Sequence, residues 1–139
     1  AVPFETEVVT NFYHPDLTRF DSGIASAAEL YGKTGLSPQD IQVAMLYDHF
    51  TLAVYWHLEA FGFCGPGEAR DYVADGHINL NGKTPLSPNG GLIGEAYIHG
   101  MNNITEAVRQ IRGTSVNPVK DVENVLVSAG MSAAILGRG

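Results

Sequence analysis

The 139-residue sequence holds a single cysteine, Cys64, and only 8 basic side chains against 15 acidic ones. One thiol closes no internal disulfide and no multi-thiolate zinc site, and such sparing use of cysteine fits a reducing cytoplasm better than a secreted scaffold. Cys64 reads as a small buried hydrophobe. A net charge of -7 and a pI of about 5.0 leave no basic stripe to follow a phosphate backbone, which argues against nucleic acid as a partner. No apolar stretch reaches the roughly 18 residues of a membrane span. The longest one, Val125 to Leu136, is broken by Ser128, Gly130 and Ser132. A basic and then apolar signal-peptide start is missing as well, and the first residue is Ala1 rather than Met, as in a piece of something longer. No repeat, charge run or linker divides the chain, so 1–139 is expected to be one domain.

What is present alternates between helix and strand signals. Asp21-Ser22 predicts a capped helix with Ile24, Ala27, Ala28 and Tyr31 on one face and Gly35 at its end. Ser37-Pro38-Gln39-Asp40 supplies a cap, a proline at the first helical position and an acidic first turn. Ile41 to Leu46 is apolar apart from Gln42, the pattern of a strand buried on both faces. Phe50, Ala53, Val54, His57, Leu58 and Phe61 then recur at helical spacing as far as Gly62. Pro66 to Asp75 predicts a short surface helix, and His77 to Pro88 a turn or extended loop. Asn89-Gly90-Gly91-Leu92-Ile93-Gly94 leads through Glu95-Ala96-Tyr97-Ile98-His99-Gly100 into another helix. There Asn103 and Glu106 form the expected capping box, Ile104, Ala107, Val108 and Ile111 the buried face, and Gly113 the end. Val122 to Leu136 predicts two strands joined by a tight turn at Ser128-Ala129-Gly130. The class is mixed α/β.

Several familiar chemistries lack their residues. His14, His49, His57, His77 and His99 show no zinc-ligand spacing, so no metal is expected. His49 and His57 lie roughly 12 Å apart along one helix, too far to share an ion. Lys33, Lys83 and Lys120 sit among turn-forming or polar neighbours, unlike the buried lysine of imine chemistry. Gly90, Gly91 and Gly94 do not make the dinucleotide-binding pattern. Tyr47 and Tyr97 remain, each where a buried strand or a glycine-rich turn gives way to a helix, whose N-terminus favours negative charge. Spacing alone leaves both as ordinary core or interface tyrosines.

Two segments carry a family resemblance. Gly35-Leu36-Ser37-Pro38-Gln39-Asp40-Ile41, followed by Leu46-Tyr47-Asp48-His49-Phe50, is similar to the thiolase-superfamily segment that ends in Asn-Glu-Ala-Phe, or in His-Asp-Cys-Phe in the sterol-carrier type. Asn89-Gly90-Gly91 through Asn103 is similar to the glycine-rich segment that carries Gly-His-Pro. The resemblance runs from about Ile24 to the end. It implies a thiolase-like C-terminal half domain over 1–139, with a five-stranded mixed sheet and helices on both faces. Tyr47 replaces the Asn or His of the first motif, and Ala96-Tyr97-Ile98 replaces the His of the second. Leu126-Val127-Ser128-Ala129-Gly130 lacks the Cys or His of the last family segment. These departures argue against Claisen condensation.

Paired tyrosines at these two places resemble the lipid-transfer-protein type aldolases of bacterial steroid side-chain degradation. That resemblance implies retro-aldol cleavage of a β-hydroxyacyl-CoA with a steroid 17-hydroxyl, giving a 17-ketosteroid and propionyl-CoA. The substrate is a CoA thioester and no further cofactor is implied. Tyr97 is expected as the base, Tyr47 as the group that hydrogen-bonds the thioester oxygen or protonates the enolate, and His49, Gly91 and His99 as substrate-binding positions. Because a tyrosine of ordinary pKa near 10 is a poor base, a helix N-terminus, His49 or His99 is expected to lower it. The implied partners are an N-terminal thiolase half, a thiolase-type second copy and an OB-fold acyl-CoA-associated protein. The competing expectation is a non-catalytic lipid-transfer or acyl-CoA-binding subunit. Shared chemistry requires the two hydroxyls within about 15 Å at one end of the sheet. A half domain should also expose an apolar face, expected on the helix from Phe50 to Phe61.

Overall fold

The computed structural model describes residues 15–129 and 131–138. In chain order the elements are α1 (Asp21–Thr34), a 3-10 turn (Pro38–Asp40), β1 (Val43–Leu46), α2 (Thr51–Ala60), α3 (Ala69–Ala74), α4 (Gly91–Gly94), α5 (Met101–Arg112), β2 (Asn124–Ser128) and β3 (Ala133–Gly137). Helix α1 starts after Phe20 without a side-chain cap; Asp21 lies in its first turn and pairs instead with Arg19 at 2.8 Å. The capping box sits at the 3-10 turn, where the Asp40 carboxylate accepts the Ser37 N–H at 2.8 Å and its hydroxyl at 2.6 Å.

The sheet has the order β1-β2-β3, with β1 parallel to β2 and β2 antiparallel to β3. Alternation along β1 divides the core. Ala44 and Leu46 join Ala27, Leu58, Phe61 and Leu126 on the α1/α2 side, whereas Val43 and Met45 join Ala107, Val125 and Val127 on the α5 side. Helices therefore cover both faces, which is why Ile41 to Leu46 reads as a continuous apolar run. Gln42, its polar exception, uses its side-chain oxygen to accept the N–H groups of Glu123 and Asn124 at 3.1 and 2.8 Å, and so ties the start of β1 to β2.

The sheet departs from the expected five strands: among the described residues it has three. The 85–87 segment approaches the free side of β1 and makes one isolated bridge, Ala44 to Leu86. Pro85 has no N–H to donate, and Ser87 turns the chain at φ 43°, so the contact cannot lengthen into a ladder. The two predicted strands after Val122 are present, and Ala129 N–H closes their connection on the Ser132 carbonyl at 2.9 Å. Gly130 of that turn lies outside the described residues.

A groove of about 890 Å³ runs between α1, α2 and the 16–20 segment, lined by Leu17, Phe20, Ile24, Leu52, Tyr55 and Trp56 among others. Helix α2 leaves Phe50 before it and Leu52 within it more than half exposed, the apolar exposure expected there. No helix among the described residues is long and apolar enough to cross a membrane.

Candidate active site

Strand β1 delivers Tyr47. The ladder ends at Leu46, whose carbonyl accepts the side-chain N–H of buried Asn103 from α5 at 3.0 Å, and the chain leaves the sheet at the next residue. His49 lies against the Tyr47 ring, centroids 4.7 Å apart, and its Nδ1 is 3.3 Å from the Tyr47 carbonyl oxygen.

Tyr97 comes from the connection between α4 and α5, where three side-chain-bearing residues occupy the left-handed region: Ala96 at φ 54°, Tyr97 at 40° and His99 at 48°. Each costs roughly 1–2 kcal/mol in that conformation, so the segment must be held from outside. Glu95 supplies one anchor, accepting the Asn89 side-chain N–H at 2.9 Å and the Arg109 guanidinium at 2.7 Å. The Asn89 hydrogen bond and then the Arg109 pair hold its carboxyl below the usual range. Leu92 supplies another, because its carbonyl accepts the Tyr97 N–H at 3.2 Å.

The two phenols converge. Their hydroxyl oxygens are 3.5 Å apart, at the outer limit of hydrogen bonding, with Tyr47 donating, and their rings meet edge to face at 6.4 Å. This lies well inside the separation required for shared chemistry. The Tyr97 ring is 45% exposed and carries His99 on its other side at 5.7 Å. At Tyr47, the expected donor, donation to Tyr97, then burial, then the charges of Tyr97 and Asp48 push the phenol pKa upward. Tyr47 therefore keeps its proton, which suits a donor and not a base. Of the other expected site positions, His49 and His99 flank the pair as exposed rings, and Gly91 is buried at the start of α4.

Other candidates lie elsewhere. His57 is buried between Phe20 and Phe61, and desolvation lowers its pKa to about 4, so it is a neutral core residue. Cys64 is only partly buried, and that burial, with Glu59 and Glu68 adding to it, pushes its thiol up to about 11, which disqualifies it as a nucleophile. Lys33 pairs with Glu29 on α1, and His77 packs on the Tyr72 ring at 4.5 Å. His14 lies outside the described residues.

The expected capping box of α5 is also corrected. Gly100, at φ 83°, stands at the cap position, and Asn103 and Glu106 point inward. Buried Glu106 accepts from Gln110 at 2.8 Å and from Ser115 at 2.6 Å, while Ile104, expected to be buried, is 43% exposed. Sequence reasoning thus missed Asp48, Asn102, Asn103 and Glu106 as residues that build the site. The available signal was the polar spacing 103, 106 and 110 sharing a helix face with Ala107.

Comparison with known proteins accords with this geometry. Residues 6–135 match the thiolase C-terminal domain-like family. A 17-hydroxy-3-oxo-4-pregnene-20-carboxyl-CoA lyase of Mycobacterium tuberculosis is 50% identical over 93% of this chain and 33% of its own length. A steroid side-chain-cleaving aldolase of Thermomonospora curvata is 47% identical over 96% of this chain and 34% of its length. A solved Ltp2-ChsH2(DUF35) aldolase superposes with a TM-score of 0.84 at 47% identity, over 91% of this chain and 34% of that one. The chain thus spans about a third of the length of the curated relatives it matches. With its two-sided sheet, its α5 packing and this match over nearly its whole length, the chain belongs to the thiolase C-terminal domain-like family.

Proposed function

We propose that this chain is the C-terminal half domain of an aldolase that cleaves a carbon–carbon bond in a steroid-derived β-hydroxyacyl-CoA, releasing a 17-ketosteroid and propionyl-CoA. The observation that carries the reading is the 3.5 Å approach of the Tyr47 and Tyr97 hydroxyls at the end of β1. The retro-aldol step asks for two groups: one to take the hydroxyl proton and one to serve the enolate that forms. Tyr97, which receives the Tyr47 O–H, acts as the base and takes the proton of the 17-hydroxyl. The oxygen lone pair closes to the ketone, the bond from C17 to the α-carbon breaks, and its electrons form the thioester enolate. Tyr47 hydrogen-bonds the thioester oxygen as the charge develops and then gives its proton to the α-carbon, yielding propionyl-CoA. The proton held by Tyr97 then passes back to Tyr47 and restores the pair. No imine, metal or redox cofactor enters this balance. His49, His99 and the turn at Gly91 form the substrate-binding rim.

The same reading makes the complete protein a cytoplasmic enzyme of steroid, including cholesterol, side-chain breakdown. An N-terminal thiolase half, a thiolase-type second copy and an OB-fold acyl-CoA-associated protein complete it. The Ltp2-ChsH2(DUF35) relative, whose name joins two components, supports a partner of this kind. The test is cleavage of a 17-hydroxy-steroid 20-carboxyl-CoA thioester by the full-length protein with its partner, followed by product analysis. Tyr97→Phe is expected to lose about 10²- to 10³-fold in kcat while still binding the thioester. Normal cleavage by Tyr97→Phe removes the base assignment. Tight thioester binding with no turnover in the parent protein supports the non-catalytic carrier instead.

A further inference from the structure

The tyrosines belong to separate loops, and their spacing depends on what joins those loops. The link is short. Asp48, directly after Tyr47, places its Oδ1 at 3.1 Å from the Leu92 N–H, which donates to it across 44 residues of chain. Leu92 is buried, and its carbonyl accepts the Tyr97 N–H at 3.2 Å. One residue therefore receives the anchor from the Tyr47 side and passes it to the backbone of Tyr97. Gly91 fits the other side of the same carboxylate: at φ 67° it turns left-handed, and a Cβ added there would collide with Asp48 Oδ2. The Asn102 side chain, 3.5 Å from the Gly91 carbonyl, steadies that turn from α5.

We propose that Asp48 is a positioning residue, whose carboxylate sets the distance between the two phenols by accepting the Leu92 N–H. Its effect on turnover rests on the retro-aldol reading above; its effect on loop order does not. The Tyr97 segment is the one with three strained residues, so a lost anchor lets it relax away from Tyr47. A displacement near 1 Å costs up to about 10²-fold in rate. The carboxylate acts here as a shaped acceptor, and an amide of the same outline presents an oxygen to Leu92 equally well.

The test compares three variants of the full-length protein with its partner: Asp48→Ala, Asp48→Asn and Gly91→Ala. The readouts are kcat and KM for the steroid thioester, and hydrogen exchange at the amides of Leu92 and Tyr97. Asp48→Ala should lower kcat about 10- to 100-fold with KM within about threefold, and both amides should exchange at least about tenfold faster. Asp48→Asn should keep kcat within about threefold of the parent and restore protection. Gly91→Ala, pushing on the same carboxylate, should resemble Asp48→Ala in its lowered kcat and its faster amide exchange. Unchanged protection in Asp48→Ala overturns the proposal. So does an Asp48→Asn variant as slow as Asp48→Ala, which would make the charge and not the acceptor responsible. If the parent cleaves no thioester, the retro-aldol reading fails, and amide exchange by itself still decides for or against the Asp48 anchor.

Discussion

Tyr47 and Tyr97 share one proton relay in the proposed reaction, and their free energies should not add. Tyr47→Phe and Tyr97→Phe each remove a group acting on one transition state, so the double variant is expected to be little slower than the poorer single one. A multiplicative loss in single-turnover cleavage would mean that the two act independently. His57 gives a second residue-level prediction, concerning stability. Desolvation holds its folded pKa at about 4, below the ordinary value of 6.5, so between those values the unfolded chain binds more protons. Its neutral form therefore supports the fold fully above pH 6.5, and that support is lost as pH falls toward 4. The loss is about 3 kcal/mol, from about 1.4 kcal/mol for each pKa unit. His57→Phe is expected to flatten the fall in thermal midpoint across this window, measured against the parent protein; an unchanged slope would assign the acid sensitivity to other groups.

At the scale of elements, α5 holds the site together from beneath. Its inward face carries Asn103 to the end of β1, Asn102 toward Gly91, and Glu106 to the segment after the helix, where Ser115 donates to the carboxylate. Gln110 continues the network by donating to the Asn117 carbonyl at 2.9 Å and accepting the Val119 N–H at 2.9 Å. Buried groups of this kind cost most when one partner is removed and the others stay. Glu106→Ala strands Ser115 and Gln110 and should destabilise the protein by about 2–3 kcal/mol in urea unfolding. A loss under about 0.5 kcal/mol would mean that water replaces the carboxylate without cost. On the opposite face of the sheet, Leu126 is fully buried among Leu46, Leu58 and Phe61. Leu126→Ala should therefore cost about 2–5 kcal/mol, and should leave the tyrosine pair in place as long as the protein folds.

For the whole molecule, the half-domain reading predicts association. Among the described residues the Leu17–Trp56 groove stands open and β3, at one edge of the sheet, is partly exposed. Expressed by itself, the chain should self-associate in sedimentation and show no turnover; a clean monomer that cleaves the steroid thioester overturns the need for a second half. The limits of what the sequence reveals follow the same division of scale. Helices α1 and α2, strand β1 and the β2–β3 pair are legible because their signals are local: apolar period, an αL glycine at Gly35, and a fully apolar run where both faces are covered. The tyrosines are legible as substitutions within two ordered motifs. A strand count is not local. The 85–87 segment is kept out of the sheet by a proline and a left-handed serine that matter only because β1 happens to lie beside them. Asn103 and Glu106 look like a helix cap in one dimension, because nothing in their spacing shows that Leu46 and Ser115 wait on the buried side. The sequence therefore determined the main helices and strands and the mixed α/β class, and, through its two motifs, marked Tyr47 and Tyr97 as candidates. Only the tertiary structure decided that the phenols meet, because their 3.5 Å approach depends on Asp48 receiving Leu92 across 44 residues, a contact that no local propensity encodes.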